Sequence, residues 1–181
     1  LAFLPAEQGL LITERPGRLR LWLQGKGLSP PIAGVPQVYA EGQGGLLEVL
    51  PAPDFAASRR VYLSFAEPGE GGKAGTAVGY GRLSDDSARL ENFKVIFRQQ
   101  PKLSVGNHFG GKLAFDRQGY LFIALGENNQ RPTAQETDKL QGKLVRLTAE
   151  GAVPPDNPWV GQAGKRPEVW SYGHRNPQGL A

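Results

Sequence analysis

No cysteine occurs in the 181 residues, which removes disulfides, Cys-x-x-Cys redox chemistry, thiolate metal sites and a cysteine nucleophile together. Histidine is nearly as scarce, with only His108 and His174. Long apolar runs are missing too. The longest, Tyr120 to Leu125, falls far short of the roughly 18 residues that a membrane span needs, and the sequence opens at Leu1 in a strand-like stretch with no basic n-region, so that any export signal would lie upstream. The net charge of +4 is spread as single Lys and Arg residues through strand-like and turn-like segments, so no nucleic-acid surface is expected. Nor is there a nucleophile elbow, an HExxH helix or a pair of carboxylates at a credible spacing, and hydrolytic mechanisms lose their support.

What the chain does have is punctuation: 25 Gly and 15 Pro break it so often that no stretch of a dozen residues keeps a clean helical period. Short alternating or apolar runs recur instead, and the fold class reads as all-β. Strands are expected at 1–4, 10–14, 19–23, 46–50, 61–65, 78–83, 94–98, 112–115, 121–125, 143–147 and 168–172, with one short helical turn around 133–140. Several segments resemble one another. "LAFLPAEQGLLIT" from Leu1 matches "LAFDRQGYLFIA" from Leu113, "GLLEVLPAPDFAASRRVYLSF" from Gly45 is a longer version, and a fourth copy begins at "GLA". Repeats starting at Leu1, Leu46, Leu113 and Leu180 are spaced by 45, 67 and 67 residues, which suits a four-stranded propeller blade per repeat. The expected divisions are blade 1 at about 1–42, blade 2 at about 43–105, blade 3 at about 106–174 and the start of blade 4 at 175–181. Three blades cannot close a ring, so further blades are expected to complete it.

The phase of the repeats groups the polar residues. Residues just before each innermost strand should reach the same end of the central channel, and there the chain places Gln43, His108, and Arg175 with Asn176. The glycines beside them permit close backbone approach to a ligand on the axis.

At these residues the sequence resembles the soluble, pyrroloquinoline quinone (PQQ)-dependent sugar dehydrogenases of the glucose/sorbosone dehydrogenase family, most closely the aldose sugar dehydrogenase branch. The resemblance is carried by "ITERPGRLRL", "GQGGLLEVLPAPDF", "GNHFGGKLAFDRQGYLFIALGENNQRPTAQ", "LQGKLVRL", "VPPDNPW" and "EVWSYGHRNPQGLA", in order along nearly the whole chain. It implies a six-bladed β-propeller of which this chain covers roughly the first three blades. It implies oxidation of an aldose at C1 to a lactone, with His108 as general base and hydride transfer to the quinone C5. Gln43, Arg175, Asn176 and Asn107 would lie at the cofactor, Arg175 stabilising negative charge on the quinone oxygens. The implied cofactors are PQQ and Ca²⁺, the partners an aldose and an external electron acceptor, and the location periplasmic or secreted. The calcium ligands would fall beyond Ala181, so no metal ligand is assigned within this segment. Soluble glucose dehydrogenases carry Asp immediately before the catalytic His, where this chain has Asn107, which removes a carboxylate that could orient or charge the base.

Other polar clusters read more plainly. His174 is expected to pack or hydrogen-bond, since alternation sends it away from its neighbour Arg175. Glu127-Asn128-Asn129-Gln130 reads as a hydrogen-bonded turn, because it cannot by itself assemble the six to eight oxygens of a calcium site. Asp85-Asp86 reads as a hairpin turn, "GEGGKAGT" at 69–76 as a flexible loop, and "PPDNPW" at 154–159 as a rigid excursion whose Trp159 packs on the blade. A different class of function also fits a propeller: a non-catalytic binding module using the same channel rim.

Overall fold

The structure, a computed structural model, describes residues 1–5, 9–104 and 106–181. Among these, three antiparallel meanders of four strands follow one another along the chain. The first holds β1 (Ala2–Phe3), β2 (Leu10–Glu14), β3 (Arg18–Leu23) and β4 (Gly27–Leu28). The second holds β5 (Leu46–Pro51), β6 (Arg60–Pro68), β7 (Ala74–Leu83) and β8 (Leu90–Arg98), with a one-turn helix α1 (Phe55–Ser58) between β5 and β6. The third holds β9 (Gly110–Phe115), β10 (Leu121–Leu125), β11 (Lys143–Leu147) and β12 (Val169–Tyr172). The leading strands β1, β5 and β9 neighbour one another, so the sheets fan out from a common axis as three propeller blades.

Period-2 alternation explains how the middle blade is held. On β6, Val61, Leu63 and Phe65 face the first blade and share a core with Leu11, Leu19 and Leu21. Tyr62, between them in sequence, faces the third blade and joins Leu113, Leu121, Ile123 and Val145. Both faces of the sheet are therefore buried. The Tyr62 ring meets Phe115 edge-on at 5.1 Å and its hydroxyl donates to the Ala149 carbonyl at 2.9 Å. Such an aromatic pair contributes about 0.5–1.5 kcal/mol beyond its buried area, and the hydroxyl's bond offsets the loss of its water contacts.

Two differences from the expected strands have local causes. The outermost strand of the first blade, β4, is two exposed residues among turn glycines, and carries no pattern to read. In the second blade β7 starts at Ala74, inside the segment expected to be a loop, and only Glu70–Gly72 of that loop is a 3₁₀ turn. Its glycines are spaces rather than breaks: a Cβ at Gly79 would lie 2.6 Å from the Phe93 ring, which packs across β7. The helical turn expected at 133–140 is a 3₁₀ turn at Arg131–Gln135, with Pro132 near its start. No helix among the described residues is long and apolar enough to cross a membrane.

Candidate active site

His108 stands in the loop that enters β9, with φ of 54°, a left-handed conformation unusual for a residue with a Cβ. Gly126, just past β10, makes that conformation possible. A Cβ there would come 1.7 Å from the His108 carbonyl oxygen, an overlap no side chain could tolerate. The antiparallel pairing of Gly110 with Leu125, continued two residues outward, sets His108 opposite Glu127. There the ring Nδ1 is hydrogen-bonded to Glu127 Oε1. Glu127 is 1% exposed, and its Oε2 has no partner among the described residues.

The other expected residues gather around this pair. Gln43 Oε1 accepts the His108 backbone N–H at 2.9 Å, and Asn176 Oδ1 accepts the Gly110 N–H at 3.0 Å. With each oxygen already accepting from a backbone donor, each amide has its NH₂ donors to offer a ligand. Gln43 and Asn176, with Leu47, Phe109, Gly110 and Gln178, wall a hollow of about 250 Å³. His108 adjoins this wall, bonded to Gln43 and followed in the chain by Phe109. Arg175 is exposed, and its carbonyl accepts the Glu127 N–H at 2.8 Å, which ties the blade-4 approach to the histidine's partner. A second hollow shares Gln43, Leu47, Gly110 and Gln178 and ends on an ion pair of Lys112 with Glu48 at 2.6 Å.

Asn107 lines neither hollow; it is exposed, and its carbonyl accepts from Asn128 Nδ2 at 3.0 Å. The expectation that Asn107 deprives the histidine of a carboxylate is corrected by Glu127, which supplies one from the neighbouring strand. The Glu127–Gln130 turn does form, with the Gln130 N–H on the Glu127 carbonyl, yet its first side chain points to the ring. Gln178, on the hollow's wall and bonded to Asn176 Oδ1 at 3.0 Å, also escaped the sequence reading. His174 bonds Ser171 through Nε2 at 2.7 Å, a contact within its own blade.

The loop behind the site rests on a buried cation. Lys143, 0% exposed, donates to the carbonyls of Thr133, Ala134 and Gln141 at 2.8, 3.1 and 2.6 Å. Burial pushes its ammonium down to about 8 from the ordinary 10.5, against the upward pull of Glu136 and Asp138. Among the described residues no group of three His, Asp or Glu is placed to hold a metal.

Comparison with known proteins now places the chain. It is 67% identical over all 181 residues to the aldose sugar dehydrogenase YliI of Escherichia coli K12, covering 49% of that protein. A solved glucose dehydrogenase matches 98% of the chain at 98% identity and a TM-score of 0.96, over 55% of its own length. The PQQ-bound form of an aldose sugar dehydrogenase from Streptomyces coelicolor matches at 29% identity and a TM-score of 0.82, covering 97% of this chain and 50% of that one. The chain thus spans about half the length of the relatives it matches, and three blades on half a length is the proportion of a six-bladed ring. The family model for glucose/sorbosone dehydrogenases matches residues 1–181 throughout, and with the blades and their converging polar residues it establishes that this chain belongs to that family.

Proposed function

We propose that the full-length protein is an oxidoreductase that oxidises aldose sugars at C1 to lactones with PQQ, passing electrons to an external acceptor from a periplasmic or secreted location. The observation that carries this reading is the bond between His108 Nδ1 and buried Glu127. An ionised carboxylate has no proton to give, so the shared proton belongs to Nδ1, and Nε2 keeps the lone pair of a general base. The C1 hydroxyl of the sugar loses its proton to Nε2 while C1 gives up its hydrogen with the bonding electrons, and the carbonyl of the lactone forms. The negative Glu127 then stabilises the imidazolium.

The residues present suit a flat, oxygen-rich ligand. Gln43 and Asn176 line the hollow with amide NH₂ groups to offer a ligand, and the backbone of Gly110 lies on the same wall. When bound, PQQ supplies the hydride acceptor, at the C5 carbonyl carbon of its quinone. Gln43 and Asn176 would hold it, Asn107 lying outside both hollows, and Arg175, exposed beside Glu127, would stabilise negative charge on its oxygens. Ca²⁺ belongs to the same reading, with its ligands outside this segment, and no step here runs through it.

The test is the absorption spectrum of the full-length protein loaded with PQQ and Ca²⁺, before and after aldose. The oxidised quinone band should convert to the reduced form. His108→Ala should still bind the quinone but lose about 10²- to 10⁴-fold in rate. Wild-type turnover in the strict absence of PQQ would overturn the proposal.

A further inference from the structure

Among the described residues, Gln43 and Asn128 hold the His108 N–H and the carbonyls of Asn107 and His108. Gln43 takes the His108 N–H, as described above. The other partner is Asn128, whose N–H donates to the His108 carbonyl at 3.3 Å and whose Nδ2 donates to the Asn107 carbonyl at 3.0 Å. Asn128 thus grips the peptide on either side of the histidine. It is 2% exposed and has φ of 49°, a conformation that asparagine tolerates better than other residues with a Cβ.

Asn128 is in turn fixed from the adjacent blade. Gln99, 1% exposed and just past β8, donates from Nε2 to Asn128 Oδ1 at 3.1 Å and to the Gly126 carbonyl at 3.2 Å. Its own Oε1 accepts the Thr76 N–H at 3.2 Å. Every polar atom of both amides is therefore committed, and none is left for a ligand. A histidine with positive φ would relax to an ordinary conformation if released. The chain Thr76, Gln99, Asn128 opposes that relaxation.

We infer that Asn128, anchored by Gln99 of the preceding blade, is the positioning residue that sets the backbone conformation of His108 and so aims its ring. The inference rests on the reading of His108 as general base. Neither amide lines the hollow, so their effect on the reaction passes through the backbone of His108 and of its partner Glu127.

Asn128→Gly is the informative variant, because glycine accepts the positive φ and keeps the backbone N–H while deleting the side-chain grip. Gln99→Met removes the anchor from the other blade at similar volume. In the holoenzyme, Asn128→Gly should lower kcat about 10- to 100-fold, the cost of misaiming a reacting group. KM and quinone affinity should stay within about threefold of wild type. In the cofactor-free protein, the downfield proton NMR signal shared by His108 Nδ1 and Glu127 should broaden or move in both variants. Adding Gln99→Met to Asn128→Gly should cost kcat less than the sum of the two single losses, since the Gln99–Asn128 bond is broken by either change. Full additivity, or an unchanged signal and unchanged kcat in both variants, would overturn the inference and leave the dehydrogenase reading standing. A wild-type holoenzyme without turnover would count against that reading alone, because the NMR signal tests the clamp without cofactor. Should Asn128→Gly fail to fold, Gln99→Met carries the same two readouts.

Discussion

A histidine that is to take one proton must have its other nitrogen occupied, and the chain does this with a carboxylate nineteen residues away in sequence and directly across a hairpin in space. Glu127 has two consequences for the ring. It fixes which nitrogen carries the proton, and it offers negative charge to the imidazolium that forms. Glu127→Gln keeps the shape and an acceptor but removes the charge. We expect kcat to fall by about 10²-fold or more, by analogy with the uncharging of other histidine partners, while quinone titration shows cofactor affinity retained. Equal rates for the two proteins would mean that the carboxylate is a packing group only. Asn107, which reads in sequence as the loss of a carboxylate that could orient or charge the base, contributes a carbonyl to the grip of Asn128.

The strands show what a sequence can and cannot disclose. Leu121–Leu125 and Lys143–Leu147 are legible to the residue: the first is an apolar run, the second carries Leu144, Val145 and Leu147 interspersed with two cations, and turn signals bound both. The four-strand repeat and the phase that brings Gln43, His108 and Arg175 to one end follow from the same spacing. Hairpin register is another matter. Whether Gly110 meets Leu125 or a neighbour depends on a bulge between Ile123 and Leu125, and on that bulge hangs the pairing of His108 with Glu127. Had the hairpin from 110 to 125 been counted outward, position 127 would have emerged as the partner. Lys143 was equally hidden, since a lysine at the start of an expected strand reads as an exposed end. Its titration has a definite sign. With a folded value near 8 and an ordinary one of 10.5, the unfolded chain holds a proton between those values that the folded chain has released. Stability from this group therefore rises as pH climbs from about 8 to 10.5, and the cost of the buried ammonium is greatest below that window. Denaturant midpoints across the window should climb more steeply for wild type than for Lys143→Met. Parallel slopes would show that the lysine does not titrate there.

Large apolar side chains remain uncovered on the first and third blades. Phe3, Trp22 and Leu28 are exposed on one, Trp170 and Tyr172 on the other, whereas the middle blade, packed on both faces, keeps its large apolar residues covered. A six-membered ring would cover such faces with further sheets. The 181-residue chain expressed alone should accordingly self-associate in light scattering and show no aldose oxidation, and supplying the remaining blades should restore both solubility and turnover. An active monomer of this length would contradict that expectation. His108 is reached from both sides of one interblade boundary, by Gln43 and the Gln99 chain from the second blade and by Glu127 from the third. Warmth that merely slides one wedge past its neighbour would therefore silence the histidine while both sheets are still intact, so that work stops before the architecture fails.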